Sequence, residues 1–197
     1  MLEWAAWKGR FQPGGAEHDV YQDKESQRWF KVTKHGGLVI AGSFVLGRMT
    51  QAYLEIPFVR EATPLEYLER LALSNDVLGD EVDLIGVTTK ARKEFALITA
   101  QPHVRGRPAT EAEITQSLAE IGFQQVLGVV AGRADSASYF RPGDGVAIFD
   151  AHGENFLWYE GAVFAIDALI CRATPEQRAF LGLTVEQRKQ EVRARSR

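Results

Sequence analysis

The stretch FDAHGENFLWYEGAVFAIDALI, Phe149 to Ile170, decides how this chain is read. Two apolar runs, GVAIF and AVFAI, each end on an aspartate, Asp150 and Asp167, and Asn155 stands between them. Apolar runs of this length bounded by turn residues read as buried or half-buried strands. A carboxylate leaving such a strand is costly unless it is paired, hydrogen-bonded or bound to a metal. DAHGEN is too short and too rich in turn formers for a helix, while FLWY, the tight turn Glu160-Gly161 and AVFAI form a hairpin. That hairpin sets Asn155 and Asp167 side by side at its open end. An amide oxygen and a carboxylate facing one point suit a hard cation that keeps waters and phosphate ligands, as magnesium does. Asp150, just before the loop, then reaches the group that attacks the phosphate.

The rest of the composition bounds the answer. With 197 residues, 45% of them hydrophobic and 25% charged, the chain is ordinary globular material with a sizeable core in one domain or two tightly joined lobes. A net charge of −3 gives no reason to expect a nucleic-acid partner, although the tail from Arg188 to Arg197 is basic and reads as solvated or as the start of a linker. The single cysteine, Cys171, excludes an intramolecular disulfide and a cysteine-based zinc site and fits a reducing compartment. No run approaches the roughly 18 uninterrupted apolar residues of a membrane span, and MLEWAAWKGR lacks the apolar core of a signal peptide. These features point to the cytoplasm, without a membrane partner. The histidines at 18, 35, 103 and 152 are too scattered for a metal cluster, and His152 reads as a loop-ordering residue near Asp150.

KGRF, the turn at PGG, HDVYQ, the polar turn DKESQ and RWFKVT form a strand meander. Residues 35 to 62 are glycine-punctuated and ambiguous. Thr63-Pro64-Leu65-Glu66 starts a helix that Gly79 stops, with Leu65, Leu68, Ala72 and Val77 as its apolar face. VDLIGVTT and KEFALITAQ are antiparallel strands. A second capping box, Thr110 to Glu113, opens a helix to about Ile121, and Thr174-Pro175-Glu176 opens a third. FQQVLGVV is extended or helical. The order predicts an α+β fold with two layers or lobes, the second mostly helical around the hairpin.

An aspartate, an asparagine five residues on and a second aspartate after an apolar strand resemble the catalytic loop and metal-binding aspartate of protein-kinase-like phosphotransferases. More of the chain, GGAEHDVY, FKVTK, TPLEYLERLALSNDVLGD, LIGVT, ITAQPHVRG, GVAIFDAHGENF and AVFAIDALI, resembles the kinase-like domain of polyvalent proteins from phages and conjugative elements. The resemblance implies a compact two-lobe kinase-like fold in residues 1–173. An N-terminal lobe would run to about 101 and a reduced C-terminal lobe over about 102–173, followed by a C-terminal helix and basic tail.

It further implies ATP and Mg2+ as cofactors, Asp150 as catalytic base, and Asn155 and Asp167 as metal ligands. Gly14 and Gly15 would cover the phosphates and Lys31 would touch them, with Lys34 as the weaker alternative. Glu69, preferred to the capping Glu66, would pair with that lysine. Backbone groups near Ala100 and Gln101 would meet the adenine.

The chain departs from protein kinases in its sparse glycine turn, in lacking His-Arg before Asp150, and in Ala-Leu after Asp167. Two functions fit: a phosphotransferase acting on an unspecified hydroxyl of a protein or small molecule, or a nucleotide-binding or inactive pseudokinase serving as an interaction module.

Overall fold

The computed structural model describes residues 10–12, 17–34, 37–49, 52–89, 95–130, 133, 135–184, 187 and 190, with only the strand course given for 10–12 and 38–58. It is a mixed α+β structure of antiparallel sheets and helices, and it divides into two compact units: residues 1–39 with 60–105, and 40–59 with 106–197.

In the first unit β1 (Arg10–Gln12), β2 (His18–Asp23), β3 (Arg28–Thr33), β6 (Asp83–Thr89) and β7 (Phe95–Pro102) form one sheet in the order β1-β2-β3-β7-β6. All its pairings are antiparallel. The polar turn at 24–27 closes β2 onto β3 as the meander implied, with Asp23 opposite Arg28. One face of the sheet buries Val32, Ala96 and Ile98 against Tyr21 and Phe30. The other face sets Leu97 against Tyr67, Leu68 and Leu71 of helix α1, Pro64–Leu78.

Helix α1 starts as its sequence dictates. Thr63 caps Glu66 N, and Glu66 bonds back to Thr63 N at 2.9 Å. Its buried face differs from the apolar stripe: Leu65 is 66% exposed, Ala72 is exposed, and Tyr67, Arg70, Leu73 and Ser74 are buried. The reason is polar pairing. Tyr67 Oη lies 2.8 Å from His18 Nε2, Arg70 pairs with Glu17, and Ser74 bonds to Asp80, so each of these side chains enters the interface with a polar partner.

The ambiguous segment before α1 is a long hairpin, β4 (Leu38–Met49) with β5 (Ala52–Glu61). Its base closes where Ala62 N donates to Gly37 O at 2.9 Å. Gly37 has a φ of 94°, and a Cβ there would fall 2.2 Å from the ring of the fully buried Tyr67.

The second unit is richer in strands than the sequence suggested. β9 (Gln124–Gln125), β10 (Ala137–Arg141), β11 (Val146–Ala151) and β14 (Leu169–Arg172) make a sheet in the order β14-β11-β10-β9. β8 (Arg107–Pro108), β12 (Phe156–Tyr159) and β13 (Ala162–Ala165) make another, ordered β13-β12-β8. This corrects the expectation of a mostly helical part: GVAIF is the buried strand it was read as, but ASYFR and LICR, which show no period-2 alternation of apolar and polar residues, are strands beside it. Val146, Ala147, Ile148 and Phe149 are at most 1% exposed.

Helix α2 (Glu111–Glu120) has the expected box between Thr110 and Glu113. Helix α3 (Pro175–Leu181), read from sequence as lying beyond the domain, buries Phe180 and Leu181 with Val126, Phe140, Ala147 and Phe149. Among the described residues no helix is long and apolar enough to cross a membrane.

Two predictions follow from this architecture. Gly37→Ala is expected to lose roughly 2–4 kcal/mol in denaturant unfolding, from overpacking plus a left-handed backbone. Gly86→Ala, where a Cβ meets nothing within 4 Å, should stay near wild type. Glu66 and Glu113 are each held down to about 2, first by the guanidinium of Arg60 or Arg107 and then by bonds from the capping threonine. A depressed carboxylate pKa gives stability that is present above the unfolded value and lost as the pH falls through the folded one. The melting temperature should therefore drop between about pH 5 and pH 2. The double variant Glu66→Gln, Glu113→Gln, measured by the same melts, should start lower at neutral pH and lose less across that window.

Candidate active site

Asp150 sits in a β-bulge. The pairs Tyr139–Ile148 and Ala137–Ala151 enclose one more residue on β11 than on β10, and Asp150 has a φ of 55°. A left-handed aspartate costs about 1–3 kcal/mol and persists where its surroundings over-determine it. Here Asn155 Nδ2 donates to both Asp150 O, at 2.9 Å, and Oδ2, at 3.2 Å, and Arg133 N donates to Oδ1 at 3.1 Å. His152 Nε2 lies 3.6 Å from the same Oδ1. Bulges of this kind re-aim a side chain.

The DAHGEN loop is ordered by the groups its sequence offers. His152 O accepts from Asn155 N and Phe156 N at 2.9 and 3.0 Å, and His152 Nδ1 accepts from Glu154 N at 3.1 Å. This is the loop-ordering role read from sequence. Gly153 lets the loop lie on β8, since a Cβ there would come 2.7 Å from Ala109 O. Sequence reasoning missed Arg133, which donates its amide to Asp150 and bridges Asp135 at 2.9 Å and Glu154 at 2.7 Å. No spacing or pattern marks it; only the fold brings residue 133 to residue 150.

The hairpin after the loop forms as expected. Phe156 pairs with Ala165 and Tyr159 with Ala162, and Glu160 and Gly161 turn at φ 47° and 91°. At its open end Ile166 N donates to Asn155 O at 2.8 Å, which puts Asp167 one residue beyond a direct backbone bond to Asn155. With Nδ2 committed to Asp150, the amide oxygen is what Asn155 can offer a cation. An amide oxygen and a carboxylate on adjoining strand ends fit a hard divalent ion such as magnesium.

In the first unit Lys31 lies opposite Val20 and Thr99. Antiparallel partners share a face, so Lys31 is on the side of the sheet where Leu97 packs against α1. Lys34, just past the strand, is 3.8 Å from Asp19. Glu69 is exposed, and the buried charge of that helix is its neighbour Arg70. The preference for Glu69 rested on Glu66 being used by the capping box and on Glu69 flanking Leu65, Leu68 and Ala72, of which the structure turns Leu65 and Ala72 outward. Glu66 is held by its capping box and by Arg60, at 2.5 Å.

Ala100 and Gln101 are buried and lie within the ladder, opposite Phe30 and Trp29, because β7 runs on to Pro102. Ala100 O also accepts from Arg28 at 2.9 Å. Gly14 and Gly15 lie outside the described residues.

Comparison with known proteins bears on this arrangement. A family model described as "Serine/Threonine/Tyrosine Kinase found in polyvalent proteins" matches residues 56–174. That span contains Asp150, Asn155 and Asp167, and it leaves the glycine turn and Lys31 outside. Comparison with curated proteins gave no match, and neither did comparison with solved structures. Since the match covers more than half of the chain, this chain belongs to the family of kinases found in polyvalent proteins.

Proposed function

We propose that the chain is a small kinase-like phosphotransferase that uses ATP with magnesium and passes the γ-phosphoryl group to a hydroxyl acceptor. The observation that carries this reading is the Asp150–Asn155 pair, joined by backbone to the segment of Asp167, in a member of a kinase family. Asp150 orients the acceptor hydroxyl and takes its proton as the new oxygen–phosphorus bond forms and the bond to ADP breaks. Asn155 and Asp167 hold the magnesium ion, which when bound neutralises charge on the phosphates. Lys31 and the turn at Gly14 and Gly15 contact the phosphates, and backbone groups around Ala100 and Gln101 meet the adenine. These parts belong to two lobes of a reduced kinase-like fold.

A second reading has its own support. Directly after Asp167 the chain enters β14 and pairs with β11, Leu169 opposite Phe149, instead of leading into a segment that could hold a substrate. On that reading the protein is a nucleotide-binding or wholly inactive pseudokinase that serves as an interaction module of a larger polyvalent protein.

Two measurements separate these readings. ATP with magnesium at 100 times its dissociation constant should stabilise the wild type by about 2.7 kcal/mol, and Asp167→Ala should abolish the shift. Phosphoryl transfer, including autophosphorylation, should fall roughly 10²–10⁴-fold in Asp150→Asn. Stabilisation without turnover in the wild type supports the second reading. The absence of any shift removes nucleotide binding, and with it the first reading, and leaves only an inactive interaction module.

A further inference from the structure

Asp150 takes its hydrogen bonds from two separate places in the chain. Arg133 N donates to Oδ1 at 3.1 Å, while Asn155 Nδ2 donates to Oδ2 at 3.2 Å and to the main-chain oxygen at 2.9 Å. One donor precedes β10 and the other follows β11, so nothing local keeps the two in step. The Arg133 side chain joins them. Its Nε and Nη2 donate to the two oxygens of Asp135 at 3.0 and 2.9 Å, and its Nη1 meets Glu154 at 2.7 Å. Glu154 directly precedes Asn155. The carbonyl of Arg133 is held as well, accepting from Ser136 N at 3.1 Å and Ser136 Oγ at 2.7 Å.

Stability does not account for this clamp. The side chains of Arg133, Asp135 and Glu154 are 45%, 67% and 73% exposed, and ion pairs in water contribute only about 0–1 kcal/mol. A guanidinium bonded along two edges gives direction instead, because its planar fork fixes the groups around it where a lysine would supply a point charge. What it fixes here is the placement of the residue 133 amide relative to the loop that carries Asn155. Asp150 depends on that placement, since its φ of 55° persists only where the surroundings over-determine it.

We infer that Arg133 is a positioning residue: its guanidinium, clamped between Asp135 and Glu154, locks the two donors of Asp150 into one unit and so aims the carboxylate at the acceptor hydroxyl, touching neither acceptor nor nucleotide. This rests on the reading of Asp150 as the catalytic base. The cation beside the aspartate comes from 17 residues upstream, in a chain that has no His-Arg directly before Asp150.

The test uses the full chain and two readouts. Initial rates of phosphoryl transfer from ATP with magnesium, to the chain itself or to water, give kcat and the KM for ATP. In Arg133→Met kcat should fall roughly tenfold, with KM for ATP and the melting temperature near wild type. Glu154→Gln should do the same, and the double variant should lose no more than either alone. Arg133→Lys, which keeps one ion pair but not the fork, should recover part of the rate, and it serves if Arg133→Met does not fold. Amide hydrogen exchange provides the readout without turnover: the amide of residue 133 should exchange about fivefold faster or more in Glu154→Gln. Unchanged kcat in a folded variant overturns the positioning role, and so do additive losses. A fall in kcat shared with KM and melting temperature overturns it too, since the clamp would then be structural. Equal exchange at residue 133 shows that the side chain does not hold the amide, and this also overturns the proposal while leaving Asp150 as the base. A wild type that transfers no phosphoryl group discards the kinase reading, and the positioning role with it.

Discussion

A charge taken out of water has to be met by another, and the first unit is arranged around that requirement. Arg70 is buried on the inner face of α1, and Glu17 at the start of β2 is its partner. His18 and Tyr67 extend the contact by a buried hydrogen bond. Together they decide which face of α1 turns inward, and they do so against the helix's own hydrophobic pattern. Tyr67 in turn fills the space over Gly37, so the same face limits what can stand at the base of the β4–β5 hairpin.

The second unit is organised around β11. It is flanked by β10 and β14, is almost wholly buried, and delivers Asp150 at its end through a bulge. Its neighbours meet the carboxylate with a backbone amide from residue 133 and a side-chain amide from Asn155. A carboxylate that accepts such bonds is oriented before any ligand arrives, and that pre-organisation is what positions a catalytic base. That an apolar run ends on an aspartate has a physical answer for Asp150: hydrogen-bond donors wait for its oxygens.

Much of this was legible. Helices α1, α2 and α3 start at their capping threonines, because a cap is an exchange of bonds between residues three apart. The hairpin from Phe156 to Ala165 was legible because Glu160-Gly161 supplies both positive φ angles. The inner face of α1 was not. Leu65 and Leu68 outweigh Tyr67 and Arg70 in any hydrophobic count, yet Leu65 lies in solvent. For the same reason the exposure of Glu69 was not legible. The sheet content of the second unit was also hidden, since buried strands without alternation look alike whether extended or helical.

Unaided, the chain's order of residues determined its local grammar: where helices begin, where the Glu160-Gly161 turn folds back, and that Asp150, Asn155 and Asp167 share one loop and hairpin. Each depends on bonds within a few positions, so the information is contiguous. Tertiary structure decided the partners: Glu17 for Arg70, His18 for Tyr67, residue 133 for Asp150, and the left-handed bulge that aims that aspartate. The residues of each pair lie from 17 to more than 40 positions apart, and burial, which no local pattern reports, makes the Glu17–Arg70 and His18–Tyr67 bonds obligatory.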